Sequence, residues 1–330
     1  MYQRDGAPIE RALLQSLVDF LAYRGPDCRE CWMEGSVGLG HAMLRTTRES
    51  LGERQPASLE GQFWIVADAR LDSRSELIGE LQRSGRVVRQ NGPDSELILH
   101  AYAAWGTPCV EHLRGDFSFA VWDARNKRLF CARDHFGIKP FYYAPMGELF
   151  VFGNTLNCIR LHPRVSSELN DAAIGDFLLF GLNYDNATTT FRDIQRLPPA
   201  HTLTVSQNGL QIRRYWTPPT DGRIRYQDPA EYVEHFQSVL ETAVADRLRT
   251  ERVGILLSGG LDSSSVAAVA KELASKATPA ELRGYTYVYR SLIPDQKKRT
   301  RAKSGTFFAY RSSSYQWTRP SSSSAGTTPR

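Results

Sequence analysis

The run Val253-Gly254-Ile255-Leu256-Leu257-Ser258-Gly259-Gly260-Leu261-Asp262-Ser263-Ser264 constrains this chain more than any other stretch. Residues 253–257 are almost all aliphatic, as a strand covered on both faces must be. After Ser264 the apolar residues Val266, Ala267, Val269, Ala270 and Leu273 recur at helical spacing. A strand, a Ser-Gly-Gly turn and a helix start in that order aim backbone N–H groups and hydroxyls at one point. That arrangement is an anion site, and the ligand it implies is a phosphate. The commoner phosphate loop needs Gly-Lys-Ser/Thr, and no such run occurs in the chain.

Length and charge bound the rest. A chain of 330 residues suggests about two domains, each able to bury its own core. No segment approaches the roughly 18 apolar residues of a membrane helix, and the start lacks a basic stretch followed by an apolar one. The expectation is therefore a cytoplasmic chain without membrane contact. The net charge of +5 is unevenly spread: from Lys297 onward there are eight Lys or Arg and no Asp or Glu. Residues 1–296 hold 33 basic and 36 acidic groups, so no nucleic-acid partner is expected. The five cysteines, Cys28, Cys31, Cys109, Cys131 and Cys158, include one Cys-x-x-Cys with no second pair beside it, and free thiols without a metal are expected.

Up to about residue 155 the pattern is mainly strands, predicted at 37–44, 63–69, 117–123, 128–133, 141–144 and 149–152. A helix is predicted from Pro8 along Ile9, Leu13, Leu17 and Phe20/Leu21, and another from Pro93-Asp94 to Gly106. Many strands with a few helices point to an α+β domain. A further helix is predicted from Asn170-Asp171 through Phe177 and Leu178. Pro218-Pro219-Thr220-Asp221-Gly222 reads as a linker. An amphipathic helix at 229–249, the 253–257 strand, a helix to about Lys276 and a strand at 285–289 complete the body.

The Ser258–Ser264 motif resembles the SGGxDS pyrophosphate loop of the PP-loop ATP pyrophosphatases. Upstream, Arg24-Gly25-Pro26-Asp27, His41-Ala42-Met43-Leu44-Arg45, Pro93-Asp94-Ser95-Glu96, Leu113-Arg114-Gly115-Asp116-Phe117-Ser118-Phe119-Ala120 and Ala132-Arg133-Asp134-His135-Phe136-Gly137-Ile138-Lys139-Pro140-Phe141-Tyr142-Tyr143 are similar to the class II glutamine amidotransferase domain of the asparagine synthetase family. The resemblance covers roughly residues 1–296. It implies an α+β N-terminal-nucleophile αββα sandwich over 1–165, with its first strand missing, and a connecting segment over 166–227. The start of an α/β doubly wound PP-loop domain follows over 228–296, and 297–330 is expected to be a basic, Ser/Thr-rich disordered tail.

The chemistry the family resemblance implies is adenylation of a substrate carboxylate by ATP, followed by displacement by ammonia or an amine. Leu257, Ser258, Gly259, Gly260, Asp262, Ser263 and Ser264 are expected to hold the pyrophosphate of ATP, and Asp262 a bridging Mg²⁺. Capping of the following helix is the plainer role for Asp262. Arg45 is expected to fork onto a glutamine α-carboxylate and Asp94 to take its α-ammonium, against plainer roles as a strand-edge cation and a helix cap. A homodimer is left open.

Two departures oppose glutamine hydrolysis. The family's nucleophile is a cysteine directly after the initiator Met, its free amine serving as base, whereas Tyr2 stands here. Val66-Ala67-Asp68-Ala69-Arg70 replaces the family's Asn-Gly-Glu contacts. The resemblance then extends to relatives without the cysteine, the β-lactam synthetases and lasso-peptide isopeptide cyclases, which use an amine already present in the substrate. A third reading is an inactive fragment, since a doubly wound sheet needs about five parallel strands and two are legible here. The abrupt change at Lys297 is expected from a shifted reading frame, and the abrupt start from an incomplete one.

Overall fold

In the computed structural model, which describes residues 1–222, 224–276, 280–288 and 311–316, the chain divides into two units at Gly222. That division falls at the end of the predicted Pro-Pro-Thr-Asp-Gly linker. The first unit runs β1 (Tyr2–Gln3), α1 (Arg11–Phe20), β2 (Cys28–Glu34), β3 (Val37–Met43), β4 (Ala57–Leu59), β5 (Phe63–Leu71), α2 (Arg74–Arg83), α3 (Asp94–Trp105), β6 (Gly115–Asp123) and β7 (Arg128–Arg133). It continues through β8 (Tyr142–Met146), β9 (Leu149–Gly153), α4 (Leu156–Ile159), α5 (Asp171–Phe180), β10 (Gln195–Arg196), β11 (His201–Ser206) and β12 (Gly209–Arg214).

Two six-stranded antiparallel sheets result, ordered β10-β8-β9-β1-β3-β2 and β12-β11-β7-β6-β5-β4. Period-2 alternation sends successive residues of the inner strands into different layers. On β6, Phe117, Phe119 and Val121 join Leu77, Leu97 and Ile98 under α2 and α3, while Ala120 and Trp122 face the other sheet. There they meet Tyr2, Leu39, Tyr143 and Phe150. On the far side, α1 lays Leu14 and Leu17 against Leu149 and Val151. The layers are helix, sheet, sheet, helix, the αββα sandwich expected.

Several expectations are corrected. The strand expected to be missing is present as β1, a two-residue strand between β9 and β3, with Tyr2 opposite Phe150 and Val37. The stretch predicted as a connecting segment contributes β10 to one sheet and the β11–β12 hairpin to the edge of the other. Leu203 and Val205 alternate into the core there, so the sandwich extends to about Tyr215, whose hydroxyl donates to Arg133 O at 2.9 Å. Helix α1 starts at Arg11 rather than Pro8: Glu10, its N-cap, is extended at φ −74° and ψ 117°, and Ile9 N–H upstream donates to Gly35 O at 3.1 Å.

The second unit comprises α6 (Pro229–Ala245), β13 (Arg252–Leu256), α7 (Leu261–Lys276), β14 (Glu281–Val288) and β15 (Arg311–Gln316). Helix α6 opens with a capping box: Asp228 accepts from Ala230 N–H at 2.8 Å and Glu231 from Asp228 N–H at 3.2 Å. The three strands are parallel in the order β13-β14-β15. Val244, Leu248, Ala267 and Ala270 cover Ile255 and Leu257 on one face. Within the stretch expected to be a disordered tail, Arg311–Gln316 adds to the open edge of β14, which offers a full row of backbone groups. The rest of that tail and Tyr289 lie outside the described residues. No helix among the described residues is long and apolar enough to cross a membrane.

Candidate functional site

The turn expected to bind a phosphate lies between β13 and α7. Leu257 N–H, the last group of the strand direction, donates to Tyr285 O at 2.7 Å and so fixes the turn to β14. Gly259 then takes φ +77°, a left-handed conformation that a residue with a Cβ rarely adopts, and this reverses the chain into α7. Ser258 N–H donates to Ser263 Oγ at 3.2 Å and Gly260 N–H to Ser258 Oγ at 3.3 Å, while the two hydroxyls lie 3.2 Å apart. Two backbone donors and two hydroxyls thus converge at the head of a helix whose dipole favours negative charge. Asp262 stands exposed in the first turn of α7.

A polyphosphate would reach these groups without rearranging the turn: Ser258 is exposed, Gly259, Gly260 and Ser263 are half-buried, and glycine lets the backbone approach closely. Among the described residues no three His, Cys, Asp or Glu groups gather as a metal site.

In the sandwich, the sequence-predicted residues separate. Tyr2 is a core residue: it is buried between the sheets against the Trp122 ring at 5.0 Å, and its hydroxyl donates to Lys127 O at 3.2 Å. Burial raises its phenol above the ordinary value. Met1 lines a small apolar cavity of about 100 Å³ together with Gly40, His41, Ala67 and Phe141. Its buried amine donates to Gly38 O at 2.7 Å, and burial pulls the amine down to about 5. Cys28 and Cys31 lie on β2, three residues apart and hence on opposite faces.

A larger polar cavity of about 410 Å³ adjoins, and Asp94 lines it while Arg45 does not. Asp94 accepts from Leu71 N–H at 2.9 Å and pairs with Arg74, so its carboxylate also ties α3 to β5 and α2. The N-cap of α3 is Pro93, and Asp94 is its first residue. Arg45 donates its backbone N–H to Asp27 Oδ2 at 2.7 Å and Nη2 to Glu53 O at 3.0 Å.

The cavity also holds Glu53 and Gln55, which no motif marked, and His41, Asp68, Asp116 and Lys139, which stood in the motif stretches without an assigned role. Lys139 Nζ lies 2.6 Å from Asp68 Oδ1, and Arg70 3.7 Å from Asp116. Gln55 uses its side-chain amide like a strand residue, accepting from Ala67 N–H at 2.6 Å and donating to Ala67 O at 3.1 Å. His41 Nε2 lies 3.1 Å from the same oxygen, and burial lowers its pKa. The available signal was the motif around Lys139 and the departure at residues 66–70, each of which contributes to this wall.

Glu53 is buried at the cavity's edge, accepting from Gln55 Nε2 at 2.9 Å and from Ser95 Oγ. Burial raises its pKa, with the Ser95 and Gln55 hydrogen bonds opposing. A carboxyl raised by folding holds its proton more tightly in the native state. Its stabilising contribution is therefore present at low pH and is lost as pH climbs past the ordinary glutamate value of about 4.3 and through the raised one. Glu53→Gln, which keeps an oxygen for both donors, is expected to raise the melting temperature at pH 7–8 by roughly 2–4 °C. The gain should shrink toward pH 4 in a pH series of thermal melts. A gain that grows in acid would reverse the assignment.

Residues 4–216 match the glutamine amidotransferase domain model and residues 235–303 the asparagine synthase model. Among curated proteins, the chain is 34% identical over 284 residues to asparagine synthetase [glutamine-hydrolyzing] 3 of Bacillus subtilis, covering 85% of this chain and 46% of that protein. It is 27% identical over 271 residues to asparagine synthetase [glutamine-hydrolyzing] 2 of the same organism, covering 79% and 36%. The chain thus spans less than half the length of these relatives. Among solved structures it is similar to the B. subtilis glutamine phosphoribosylpyrophosphate amidotransferase complexed with ADP and GMP. There the TM-score is 0.39 and the identity 15%, over 73% of this chain and 51% of that one.

Proposed function

Because the chain belongs to the asparagine synthetase family, pairing a glutamine amidotransferase domain with part of an asparagine synthase domain, we propose that it is the nucleotide-loop portion of an ATP-dependent, amide-forming ligase. The observation that carries this reading is the convergence of Ser258 and Gly260 N–H groups with the Ser258 and Ser263 hydroxyls at the head of α7. Leu257, Ser258, Gly259, Gly260, Ser263 and Ser264 would hold the pyrophosphate, and Asp262 the Mg²⁺. The nucleotide, when bound, supplies the AMP that makes a substrate carboxylate susceptible to an amine. Without that activation, a carboxylate at neutral pH resists nucleophilic attack.

Two observations support a glutaminase half that serves as scaffold. Tyr2 is spent on the core between the sheets, and the β5 segment Val66-Ala67-Asp68-Ala69-Arg70 lacks the Asn-Gly-Glu contacts. The amine would then come from the substrate, as in the cysteine-lacking relatives.

Titration calorimetry of this chain with pyrophosphate and with ATP, each with Mg²⁺, tests the loop. Saturable binding is expected, and Asp262→Asn should weaken the Mg²⁺-dependent part at least about tenfold, or about 1.4 kcal/mol. Unchanged Mg²⁺-dependent affinity would remove Asp262 from the site, and a chain that binds neither ligand would overturn the loop's assignment. Ammonia release from glutamine is expected to be undetectable, and its detection would restore the glutaminase.

A further inference from the structure

Strand β1 fills only part of the gap between its neighbours. It pairs with β3 at Tyr2↔Val37 and with β9 at Tyr2↔Phe150 and Gln3↔Leu149, whereas β3 runs on to Met43 and β9 to Gly153. Beyond Met1 the two strands face each other across an open slot. Gly40, Ala42, Phe152 and Asn154 are half-buried there, while Leu39 and Val151, turned to β2 and β8, are buried. All four half-buried residues line the small apolar cavity beside Met1.

Alternation decides where the backbone groups of the slot point. Gly38 spends both of its groups on Met1: its N–H donates to Met1 O at 2.9 Å, and its C=O accepts from the Met1 amine at 2.7 Å. In an antiparallel ladder every second residue turns the same way, so Gly40 and then Ala42 aim N–H and C=O into the slot. On β9, Arg4 N–H donates to Glu148 O at 2.9 Å and Tyr2 lies opposite Phe150, so Phe152 turns its groups into the slot from the other side. Two facing rows of backbone donors and acceptors are what an added strand pairs with.

The walls set the side chains. Tyr2 packs between the sheets and Met1 packs toward α1, so residues of a strand in line with β1 would alternate between those layers. One opposite Phe152 would meet Val66 and Ala120, and the next, opposite Gly40, would lie near Leu14 and Val18. A third, opposite Asn154, reaches the polar cavity, whose wall shares His41, Asp68 and Asn154 with the slot. Asn154 Oδ1 and His41 Nδ1 are buried there without a hydrogen-bond partner. Both are acceptors: neutral His41 carries its proton on Nε2, which donates to Ala67 O at 3.1 Å. Two orphaned acceptors at the end of a strand-shaped slot call for a donor such as an ammonium.

We propose that this slot binds a free peptide of about three residues, extended and antiparallel to β3 and β9, with its last two side chains apolar and its α-ammonium at His41 and Asn154. Met1 closes the other end, so the occupant's C-terminus stops against it. The apolar cavity of about 100 Å³ takes the last two residues, and the adjoining polar cavity of about 410 Å³ takes the first.

Titration of the full chain with Ser-Val-Ala amide, followed by calorimetry and by amide exchange in two-dimensional NMR, tests this. A dissociation constant on the order of 100 µM is expected for a ligand of this size. With peptide at about 1 mM, the Gly40 and Phe152 amides should exchange at least about fivefold more slowly. The Leu39 and Val151 amides, which face β2 and β8, should not change. Methylating the valine nitrogen of the peptide removes one ladder bond, and acetylating its amine removes the ammonium; each should weaken binding at least about tenfold. No saturable binding up to about 1 mM, or binding that leaves Gly40 and Phe152 unprotected, would overturn the proposal. An N-methylated peptide that binds as well would make the slot a plain apolar cavity, and an acetylated one that binds as well would take the ammonium from His41 and Asn154. Either result also overturns it.

Discussion

Replacing Asp134 by alanine is expected to lower the stability of the Met1–Gly222 unit by about 4 kcal/mol, a fall of roughly 10 °C in its melting temperature. The carboxylate is buried and serves four backbone donors. Oδ1 accepts from Phe136 N–H at 3.1 Å and Ile138 N–H at 2.9 Å, and Oδ2 from Phe117 N–H at 3.3 Å and Lys139 N–H at 2.9 Å. A buried N–H left without an acceptor costs about 1–3 kcal/mol, and relaxation of the loop toward water limits the sum. Asp134→Asn should fall between, because it keeps an oxygen for one pair and sets an NH₂ group against the other. The neighbouring Arg133 completes the clamp from outside, donating to Gly137 O at 2.6 Å, Leu197 O at 2.7 Å and Lys139 O at 2.8 Å. The most specific motif of the amidotransferase half is thus a device that shapes the loop carrying Lys139 to the polar cavity. Thermal melts followed by circular dichroism measure the effect, and a loss under about 1 kcal/mol would show that the four bonds are replaceable.

Gly25→Ala is expected to cost about 3 kcal/mol or more. A Cβ at this position would stand 2.2 Å from both the carbonyl carbon and the oxygen of Ala42 and 2.6 Å from Met43 N. These are backbone atoms of β3, so no side-chain rotation can relieve the overlap and either the strand or the turn must move. Moving the turn also loosens Asp27 N–H from Met43 O at 3.0 Å and Arg45 N–H from Asp27 Oδ2 at 2.7 Å. Gly79→Ala is the matched control. It lies within α2, where an added Cβ meets nothing within 4 Å, and should stabilise by about 0.5–1 kcal/mol. Equal melting temperatures for the two variants would contradict the close packing at Gly25.

The strands at the centre of the sandwich were legible because burial on both faces leaves continuous apolar runs: β5, β6 and β7 appear within a few residues of their predicted bounds. Strand β2 was not, since Cys-Arg-Glu-Cys-Trp-Met-Glu sits at a sheet edge where charged residues are tolerated. Helix α2 buries only Leu77, Ile78 and Leu81 in ten otherwise polar residues, too sparse a stripe to read alone. The β13–α7 turn was readable as strand, glycine turn and helix, because its geometry is local to a few residues. The polar cavity was not, because His41, Glu53, Asp68, Asp116 and Lys139 come from five separate segments and meet only after the sheet has formed.

The Gln55 amide has a meaning for the behaviour of the whole sheet. Strand β4 covers β5 only from Phe63 to Ile65, and two residues further on both backbone groups of Ala67 are taken by one side chain. A peptide-like amide that cannot propagate a ladder thus occupies the place a foreign strand would need. The margin of the sheet is closed there to recruitment of another chain, and the sandwich gains protection from strand-swapped aggregates at the cost of a single glutamine.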